Sequence, residues 1–307
     1  MIVALSGGIG GAKLALGLSH ILPATDLTVV ANIGDDFEHL GLSISPDLDT
    51  LTYTLAGLDN PVLGWGRRDE TWSFMQTLES LGGETWFRLG DRDLALHLER
   101  TRRLHVGETL SEITDDICNR LGVGPKLLPA SNDQVRTQVL TDDGWIGFQD
   151  YFVRQRAAPR VRALDFAGAD VARAHPDVIS AIAQADAVVI CPSNPFISID
   201  PILAISGVRD ALRETSAPVI AVSPIIGGRA VKGPTAKIMD ELGLAPGAVA
   251  VAEHYGDLLD AYVADRTDAD ALHGVQVRLV LADTLMTSLA EKKALAQVVL
   301  EASTTLR

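Results

Sequence analysis

The residues best suited to chemistry lie within the first fifty positions of this 307-residue chain. An apolar run at residues 2–5 leads into the glycine-rich stretch Gly7-Gly8-Ile9-Gly10-Gly11. A glycine turn at a helix start can bind phosphate, because its bare N–H groups and the helix dipole both face the anion. A second apolar run is followed by four carboxylates: Asp35, Asp36, Asp47 and Asp49. Because carboxylates at strand ends bind Mg²⁺ or orient a hydroxyl, the segment is typical of enzymes with phosphorylated, nucleotide-linked substrates.

The glycine stretch matches neither common nucleotide-binding fingerprint. Lys13 stands where the dinucleotide fingerprint has its third glycine, and the Gly-Lys-Ser/Thr triplet of a P-loop does not occur. A glycine turn after a first strand can also serve tight packing alone. We predict that Gly7, Gly8, Gly10 and Gly11 contact substrate, since four glycines in five residues exceed what a turn needs.

The four aspartates also have a structural alternative. Asp47 could be a first-turn acid favoured by the helix dipole, and Asp35 and Asp36 could lie in a solvated loop. Their position after the carboxyl end of a strand, where open sheets bind ligands, favours a functional role. We predict that Asp35, Asp47 and Asp49 hold Mg²⁺, and that Asp36 and Asp49 are catalytic residues.

Three further stretches carry candidate groups. In the segment 86–93, which mixes aromatic and charged residues, Asp91 could be only an N-cap and Arg92 a surface ion-pair partner. Arg88, beside two aromatic residues, could instead reach an anion or a flat ring. Ser193 and Asn194 follow a predicted buried strand and could contact a base or a phosphate, or form a turn with a helix cap. Ser223-Pro224-Ile225-Ile226-Gly227-Gly228 follows another such strand. We take Arg88, Ser193 and Asn194 as substrate-binding candidates.

Composition excludes several classes of protein. The net charge of −14, from 40 acidic and 26 basic residues, argues against nucleic acid and anionic membranes as main partners. The two cysteines, Cys118 and Cys191, have no metal-binding spacing, and we expect two buried thiols. The strand pattern begins at Ile2, so we expect no signal peptide, and no apolar run reaches the length of a membrane span. We therefore expect a cytoplasmic protein.

Helical patterns alternate with apolar strands in both outer parts of the sequence. This alternation predicts an α/β fold with a Rossmann-like, doubly wound and mostly parallel sheet. Residues 1–60 plus 159–307 would form the nucleotide-binding core, and residues 61–158 an inserted cap of helices and short strands. Strands are predicted at 2–5, 27–31, 187–190, 218–222, 248–252 and 275–281, and a hairpin turn at 142–144. Helices are predicted at 12–22, 47–58, 69–81, 91–103, 109–121, 201–215, 235–242 and 287–302.

Six motifs, spread nearly from end to end, resemble those of the 2-phospho-L-lactate transferases of deazaflavin coenzyme F-420 biosynthesis. One such motif would be weak, but six in the family's order at compatible spacing are specific. They are Ser6-Gly7-Gly8, Ser45-Pro46-Asp47-Leu48-Asp49-Thr50, Leu89-Gly90-Asp91-Arg92-Asp93, Pro192-Ser193-Asn194-Pro195, Val222-Ser223-Pro224-Ile225-Ile226-Gly227-Gly228 and Ala282-Asp283-Thr284-Leu285-Met286-Thr287-Ser288.

The resemblance implies a reaction. The donor would be a guanosine diphosphate ester of lactate, or of a related three-carbon acid such as enolpyruvate or glycerate. The acceptor would be Fo, a deazaflavin with a ribityl chain, whose terminal hydroxyl attacks the phosphate bearing the acid. GMP would leave, the glutamate-free F-420 precursor would form, Mg²⁺ would be required, and the protein would be a homodimer.

The resemblance also implies residue roles. Asp49 and Arg88 match positions that contact Fo, although many relatives carry lysine where Arg88 stands. The stretch from Gly7 to Gly11 would lie near the diphosphate, and Ser193 and Asn194 on the nucleotide side. Asp283 belongs to a family motif, but no role follows for it.

Two alternatives stay open on the sequence. One is a nucleotide-sugar-binding regulator of the gluconeogenesis-factor type, which shares the glycine opening and an acidic loop. The motifs at 89–93 and 283–286 favour the transferase over it. The other is an NAD-dependent enzyme, which the broken glycine fingerprint disfavours.

Overall fold

A seven-stranded parallel sheet forms the centre of the molecule in the computed structural model, which describes residues 1–61, 65–231 and 233–306. Its strands are β1 (Ile2–Ser6), β2 (Leu27–Ala31), β5 (Lys126–Pro129), β9 (Ala187–Ile190), β10 (Val219–Val222), β13 (Ala261–Asp265) and β14 (Arg278–Ala282). In the sheet they follow the order β14-β13-β10-β9-β1-β2-β5, and every neighbouring pair is parallel.

Three small antiparallel sheets accompany the central one. They are formed by β3 (Phe37–His39) with β4 (Leu42–Ile44), by β6 (Arg136–Thr141) with β7 (Gly144–Gly147) and β8 (Ala163–Ala167), and by β11 (Ile225–Ile226) with β12 (Arg229–Ala230). The predicted turn at 142–144 joins β6 to β7, so the hairpin prediction is confirmed.

The α-helices are α1 (Gly8–Ile21), α2 (Pro46–Leu55), α3 (Ser73–Ser80), α4 (Asp91–His105), α5 (Leu110–Arg120), α6 (Pro176–Ala183), α7 (Asp200–Ala204), α8 (Val208–Glu214), α9 (Thr235–Glu241), α10 (Ala248–Tyr255) and α11 (Leu289–Thr304). Short 3₁₀ turns occupy Ala24–Asp26, Gly256–Leu258 and Arg266–Leu272, and π-helical turns occupy Asp150–Arg154 and Pro195–Ile199. No helix in the described part of the chain combines the length and apolar character needed to cross a bilayer.

Five of the seven strands of the central sheet are buried at every residue, whereas the edge strands β5 and β14 are partly exposed. β1, β2, β9, β10 and β13 are buried throughout, as parallel strands covered on both faces must be. Helix α1 packs against both α2 and α11. Cys118 and Cys191 are buried free thiols, as expected. The doubly wound α/β prediction is confirmed.

The chain reverses its direction of progress across the sheet at β1, which lies between β2 and β9. Ligands of open parallel sheets bind at such a switch point, beyond the carboxyl ends of the strands. The glycine stretch follows β1 and the Ser193 loop follows β9, so both candidate regions lie at the switch point.

The division at residues 61–158 remains a prediction, and two strands do not follow its boundaries. β5 lies inside that range but pairs with β2 in the central sheet, whereas β8 lies outside it but pairs with β6. Residues 62–64, at the start of the proposed cap, lie outside the described residues. A second small apolar core, built on Ile44, Met75 and Leu89, packs beneath α3 and α4.

The secondary-structure predictions differ from the described structure at several places. The run 248–252 forms helix α10 and not a strand, because its alanines favour a helix and its alternation of small apolar residues fits either structure. Strands β3, β4, β8, β11, β12 and β13 and helix α6 were not predicted. The single helix predicted at 201–215 is two helices, α7 and α8, separated at Gly207, which has a left-handed φ of 90°.

Candidate functional site

One large cavity, of about 720 Å³, opens beyond the carboxyl ends of the central strands. Its wall includes residues after β1, β2, β9, β10 and β14, together with side chains from the region between β4 and β8. The predicted site residues that line it are Gly7, Gly8, Gly10, Asp35, Asp47, Asp49, Arg88, Ser193 and Asn194. Gly11 and Asp36 are not part of the wall formed by the described residues.

The glycine turn is packed tightly against its neighbours. A Cβ on Gly10 would overlap the Pro192 carbonyl oxygen, and one on Gly11 would overlap the Ser6 and Ser193 hydroxyls. Close packing therefore explains Gly10 and Gly11 without a ligand. Gly11 packs behind the cavity wall and does not line it. The first N–H of α1 is also occupied, because Gly8 N donates to Asp47 Oδ1 at 2.6 Å.

Asp35 and Asp47 form the first acidic group, on either side of the Asn32 amide. Asn32 Nδ2 donates to Asp47 Oδ2 at 3.0 Å and lies 3.4 Å from Asp35 Oδ1. Burial raises the pKa of Asp47 to about 6, against hydrogen bonds from Asn32 and Gly8 that lower it. Burial and the charge of Asp47 raise the pKa of Asp35 well above its usual value. Two desolvated carboxylates this close suit a divalent cation, which would offset both charges.

Asp36 is buried behind this group. Its Oδ2 accepts a hydrogen bond from Ser45 Oγ at 2.8 Å, and its Oδ1 has no partner among the described residues. Burial raises the pKa of Asp36 to about 7, although Arg136 and Ser45 act in the opposite direction. Since Asp36 does not reach the cavity wall, its predicted catalytic role has no direct path to a ligand in this arrangement.

Asp49 belongs to a second group, which joins α2 to α4. Its carboxylate pairs with the Arg100 guanidinium through both oxygens, and Arg100 Nη1 lies 3.2 Å from Oδ2. His97 Nδ1 lies 3.5 Å from the same oxygen, and His97 Nε2 lies 3.3 Å from Asp93 Oδ2. Tyr53 donates to Asp93 Oδ1 at 2.6 Å. Burial raises the pKa of Asp49, although the charges of Arg100 and His97 oppose the rise.

The ligand atoms of Asp49, Asp93 and His97 all lie within 4.8 Å of one another, a spacing that a metal ion could bridge. Arg100 already supplies a positive charge to Asp49, however, so the first acidic group has the greater need of a cation. The three predicted metal ligands thus have different partners. Asp35 and Asp47 share the Asn32 amide, whereas Asp49 is held by Arg100 and His97.

An aromatic wall closes the side of the cavity beyond the acids. It is formed by Trp65, Trp86, Phe87, Phe148 and Phe152. Arg88 also lines the cavity, and its guanidinium stacks 4.1 Å above the Trp72 ring. Such stacking fixes the guanidinium plane, a property that lysine at this position would lack.

Ser193 and Asn194 lie across the switch point from the glycine turn. Ser193 Oγ donates to Gly7 O at 2.8 Å and accepts from Gly7 N at 3.2 Å, so its hydroxyl locks the two loops together. Asn194 Oδ1 caps the next turn by accepting from Phe196 N at 3.0 Å. Asn194 Nδ2 is buried and has no partner within the described chain, which leaves a donor for a ligand.

Sequence reasoning missed Tyr53, His97 and Arg100. The signal was present, because Asp93, His97 and Arg100 stand at i, i+4 and i+7 and must share one face of a helix. That face could not be matched to Asp49, 51 residues away from Arg100, without the tertiary structure.

The sequence matches the family model of the 2-phospho-L-lactate transferase CofD over residues 2–294. The chain belongs to the CofD family. The match spans the cavity loops from the glycine turn to the segment after β14, so the resemblance noted from the six motifs is confirmed. Family membership makes the chain a transferase of coenzyme F-420 biosynthesis.

Three CofD-like relatives are described as phosphoenolpyruvate transferases. The protein of Streptomyces coelicolor is 42% identical over 309 residues, which cover 99% of this chain and 97% of the relative. That of Kitasatospora aureofaciens is 45% identical and covers 90% of this chain and 88% of its own, and that of Mycolicibacterium smegmatis is 42% identical, covering 91% and 92%. A crystal structure of a UPF0052 family member from Bacillus halodurans has a TM-score of 0.63 at 16% identity and covers 97% of this chain and 98% of its own, which supports the fold.

Proposed function

We propose that this protein transfers a phospho-(three-carbon acid) group from its guanosine diphosphate ester to the ribityl hydroxyl of Fo, and that the acid is enolpyruvate. The oxygen of the hydroxyl bonds to the phosphorus bearing the acid, and the bond from that phosphorus to the bridging oxygen breaks. GMP leaves with the bridging oxygen, and the glutamate-free F-420 precursor forms. The convergence of acidic groups, glycine turn and aromatic wall on one cavity carries the proposal. The names of relatives 42–45% identical favour enolpyruvate over lactate.

The acceptor would lie against the aromatic wall. A tricyclic deazaflavin stacks favourably on aromatic side chains, and Trp86, Phe87 and Phe148 offer such surfaces beside Arg88. This placement would direct the ribityl chain toward Asp49, which lines the same cavity.

The donor would lie across the switch point. Its diphosphate would approach the N–H groups of Ile9 and Gly10, which line the cavity in the first turn of α1. Asn194 Nδ2 would donate to the nucleotide side. The ammonium of Lys13 also lines the cavity, where it donates to Met286 O at 2.8 Å.

Asp35 and Asp47 would hold Mg²⁺, with Asp49 as the third candidate. The raised pKa values of these carboxylates and their closeness fit a cation at this place. When bound, Mg²⁺ would offset the phosphate charge that repels the incoming oxygen.

Asp49 would orient the ribityl hydroxyl and accept its proton. Arg100 and His97 fix the carboxylate, yet each carboxylate oxygen has two lone pairs, so Asp49 retains the capacity to accept one more hydrogen bond. A positioned base of this kind matters because phosphoryl transfer depends on alignment and charge neutralisation more than on covalent catalysis.

The decisive experiment incubates the protein with Fo, Mg²⁺ and one guanylated acid at a time, made with enolpyruvate, L-lactate or D-glycerate. Mass spectrometry of the products should give the dehydro form of the precursor from the enolpyruvate donor, together with one GMP per Fo consumed. Preferential turnover of the lactate donor would contradict the choice of acid. A protein that leaves the absorbance and fluorescence of Fo unchanged on titration, and forms no product, would contradict the transferase proposal.

A further inference from the structure

Two family motifs found in the sequence have no role in the chemistry above. The loop 223–228 follows β10, and the loop 283–287 follows β14. Both loops contribute to the cavity wall, through Ser223, Pro224 and Ile226 in the first and Thr284, Leu285 and Met286 in the second. Between them in the sheet lies β13, whose following segment, Arg266–Leu272, does not touch the cavity. Two aspartates nevertheless connect this region to the loops: Asp268 binds the loop 223–228, and Asp265, at the end of β13, binds the loop 283–287.

Asp268 holds the loop 223–228. Its Oδ2 accepts from Gly227 N at 2.9 Å and its Oδ1 from Gly228 N at 2.7 Å. Both glycines have left-handed φ values, 57° and 72°, which turn their N–H groups to the same side. One buried carboxylate thus satisfies two consecutive backbone donors and fixes the turn that joins β11 to β12.

Asp265 holds the loop 283–287. Its Oδ2 accepts from Thr284 N at 2.9 Å and from Thr284 Oγ1 at 3.1 Å. Its Oδ1 accepts from Thr267 N and Oγ1, so both oxygens are fully used. Asp283, the acid of the family motif, has a side chain 92% exposed. The motif therefore acts through Thr284 and its neighbours, and Asp283 is not part of the wall.

The two loops offer a neutral surface to the cavity. The lining residues described in them are apolar or small and polar, among them Pro224, Ile226, Leu285 and Met286. The Ser223 hydroxyl is engaged within its own loop, with Ile225 N and O. Apolar side chains around backbone groups suit a flat base and its ribose better than a phosphate.

These loops also follow strands on the other side of β1 from the segment that carries the acids. Asp35 follows β2, and Asp47 and Asp49 lie in α2, between β2 and β5 along the chain, whereas the loops follow β10 and β14 on the far side of β9. The aromatic wall comes from the region between β4 and β8, on the side of the acids. A donor whose diphosphate lies at the switch point would extend its nucleoside end toward the two loops.

We propose that Asp265 and Asp268 are positioning residues that hold the loops 223–228 and 283–287 around the nucleoside of the donor. The proposal rests on the proposed function for the identity of the donor. Neither aspartate contacts the substrate. Each fixes the backbone of a loop that contacts the donor. Their loss should therefore weaken the binding of the donor and of GMP while leaving the binding of Fo unchanged.

The test compares Asp268→Asn and Asp265→Asn with Asp270→Asn and Asp210→Asn, two exposed acids that lie outside both loops. An amide in place of Asp268 presents one oxygen where two N–H groups need acceptors. We expect the KM for the guanylated donor and the Kd for GMP, measured by calorimetry, to rise about tenfold, or about 1.4 kcal/mol. The KM for Fo and kcat should change less than about twofold, and the two control variants should match wild type in all four quantities.

The outcomes separate this inference from the proposed function. Wild-type turnover with unchanged donor KM and GMP affinity in both variants would overturn the positioning role alone, as would an equal rise in the KM of Fo. If wild type binds GMP but does not transfer, the proposed function fails and the GMP affinities still decide the inference. Wild type that neither binds GMP nor turns over would overturn both. If Asp265→Asn unfolds, as judged by circular dichroism, Asp268→Asn and Thr267→Val, which removes one hydrogen bond to Asp265, carry the test.

Discussion

Asp49 combines features that usually exclude each other. It is 6% exposed and yet keeps contacts with a guanidinium, an imidazole and the cavity. Buried ion pairs of this kind seldom repay their desolvation in stability, so their presence beside a cavity favours a functional explanation. In the proposed function, Asp49 accepts a hydrogen bond and then the proton from the ribityl hydroxyl, through oxygen lone pairs that are not used by Arg100.

Asp49→Asn should therefore lower kcat by roughly 10²–10⁴-fold, the usual cost of losing a general base. The KM for Fo should change much less, since the aromatic wall supplies most of the acceptor contact. Product formation by mass spectrometry measures the rate, and Asp170→Asn, an exposed acid outside the cavity wall, is the control. A variant with near-normal kcat would remove Asp49 from the list of catalytic residues.

The raised pKa of Asp36 leads us to expect an unusual dependence of the unfolding free energy on pH. Its folded pKa of about 7 lies above the unfolded value of 3.8, because burial disfavours the charged form. The folded state then binds more protons than the unfolded state between these values, so the contribution of Asp36 to stability is present at low pH and is lost as pH rises. The slope is about 1.4 kcal/mol per pH unit at most.

Asp36→Asn should remove that slope. We expect the unfolding free energy of the variant, relative to wild type, to increase between pH 4 and pH 7 in urea titrations without divalent cations. Above pH 7 the difference should level off. A difference that is constant across the range, or that falls with pH, would show that Asp36 is already ionised in the folded protein.

The contact between α2 and α4 is the element that fixes the acceptor side of the site. Both helices present polar residues inward, Asp49 and Tyr53 from α2 and Asp93, His97 and Arg100 from α4. If one helix shifted along the other, buried charged groups would lose their partners. These ion pairs therefore set the register of α2 and α4.

Arg100→Met should destabilise the fold by on the order of 3–5 kcal/mol, because it leaves the Asp49 carboxylate buried without its main partner. Chemical denaturation measures the loss. Arg102→Met, on the same helix but exposed and paired with Glu99, should leave the unfolding free energy nearly unchanged.

Adding Asp49→Asn to Arg100→Met should restore part of the lost stability, because the unpaired charge is then removed. If the double variant is as unstable as the sum of the two single variants, Arg100 stabilises the fold by packing and not through Asp49.

At the scale of the whole molecule, local pattern predicted the central sheet well. The strands at 187–190 and 27–31 were predicted with their observed bounds, since runs of buried apolar residues leave little choice of structure. Strand β13 was missed because the helical run before it was taken as the strand. The glycine turn, the acids and the Ser193 loop were placed at one edge because parallel strands end there. The pairing of Asp49 with Arg100 and the roles of Asp265 and Asp268 depend on contacts between distant segments, which no local pattern contains.

A ligand that binds only the folded protein raises the unfolding free energy, so each of the two proposed substrates should stabilise the whole molecule. GMP and Fo, each at a hundredfold excess over its Kd, should each raise the unfolding free energy by about 2.7 kcal/mol. Thermal unfolding followed by circular dichroism gives the shift. NAD⁺ at the same concentration is the control, and a comparable shift with NAD⁺ would favour the dehydrogenase alternative.

Asp47 has a consequence for the choice of ligand. Its carboxylate occupies the first N–H of α1, so the protein's own negative charge stands where a small oxyanion would otherwise settle. We expect free orthophosphate and sulfate to bind weakly here, because the Asp47 carboxylate repels them. A diphosphate ester that binds together with a divalent cation is repelled less, because the cation offsets the negative charge of Asp47. The cavity would therefore select its donor from among the many phosphorylated metabolites of a cell.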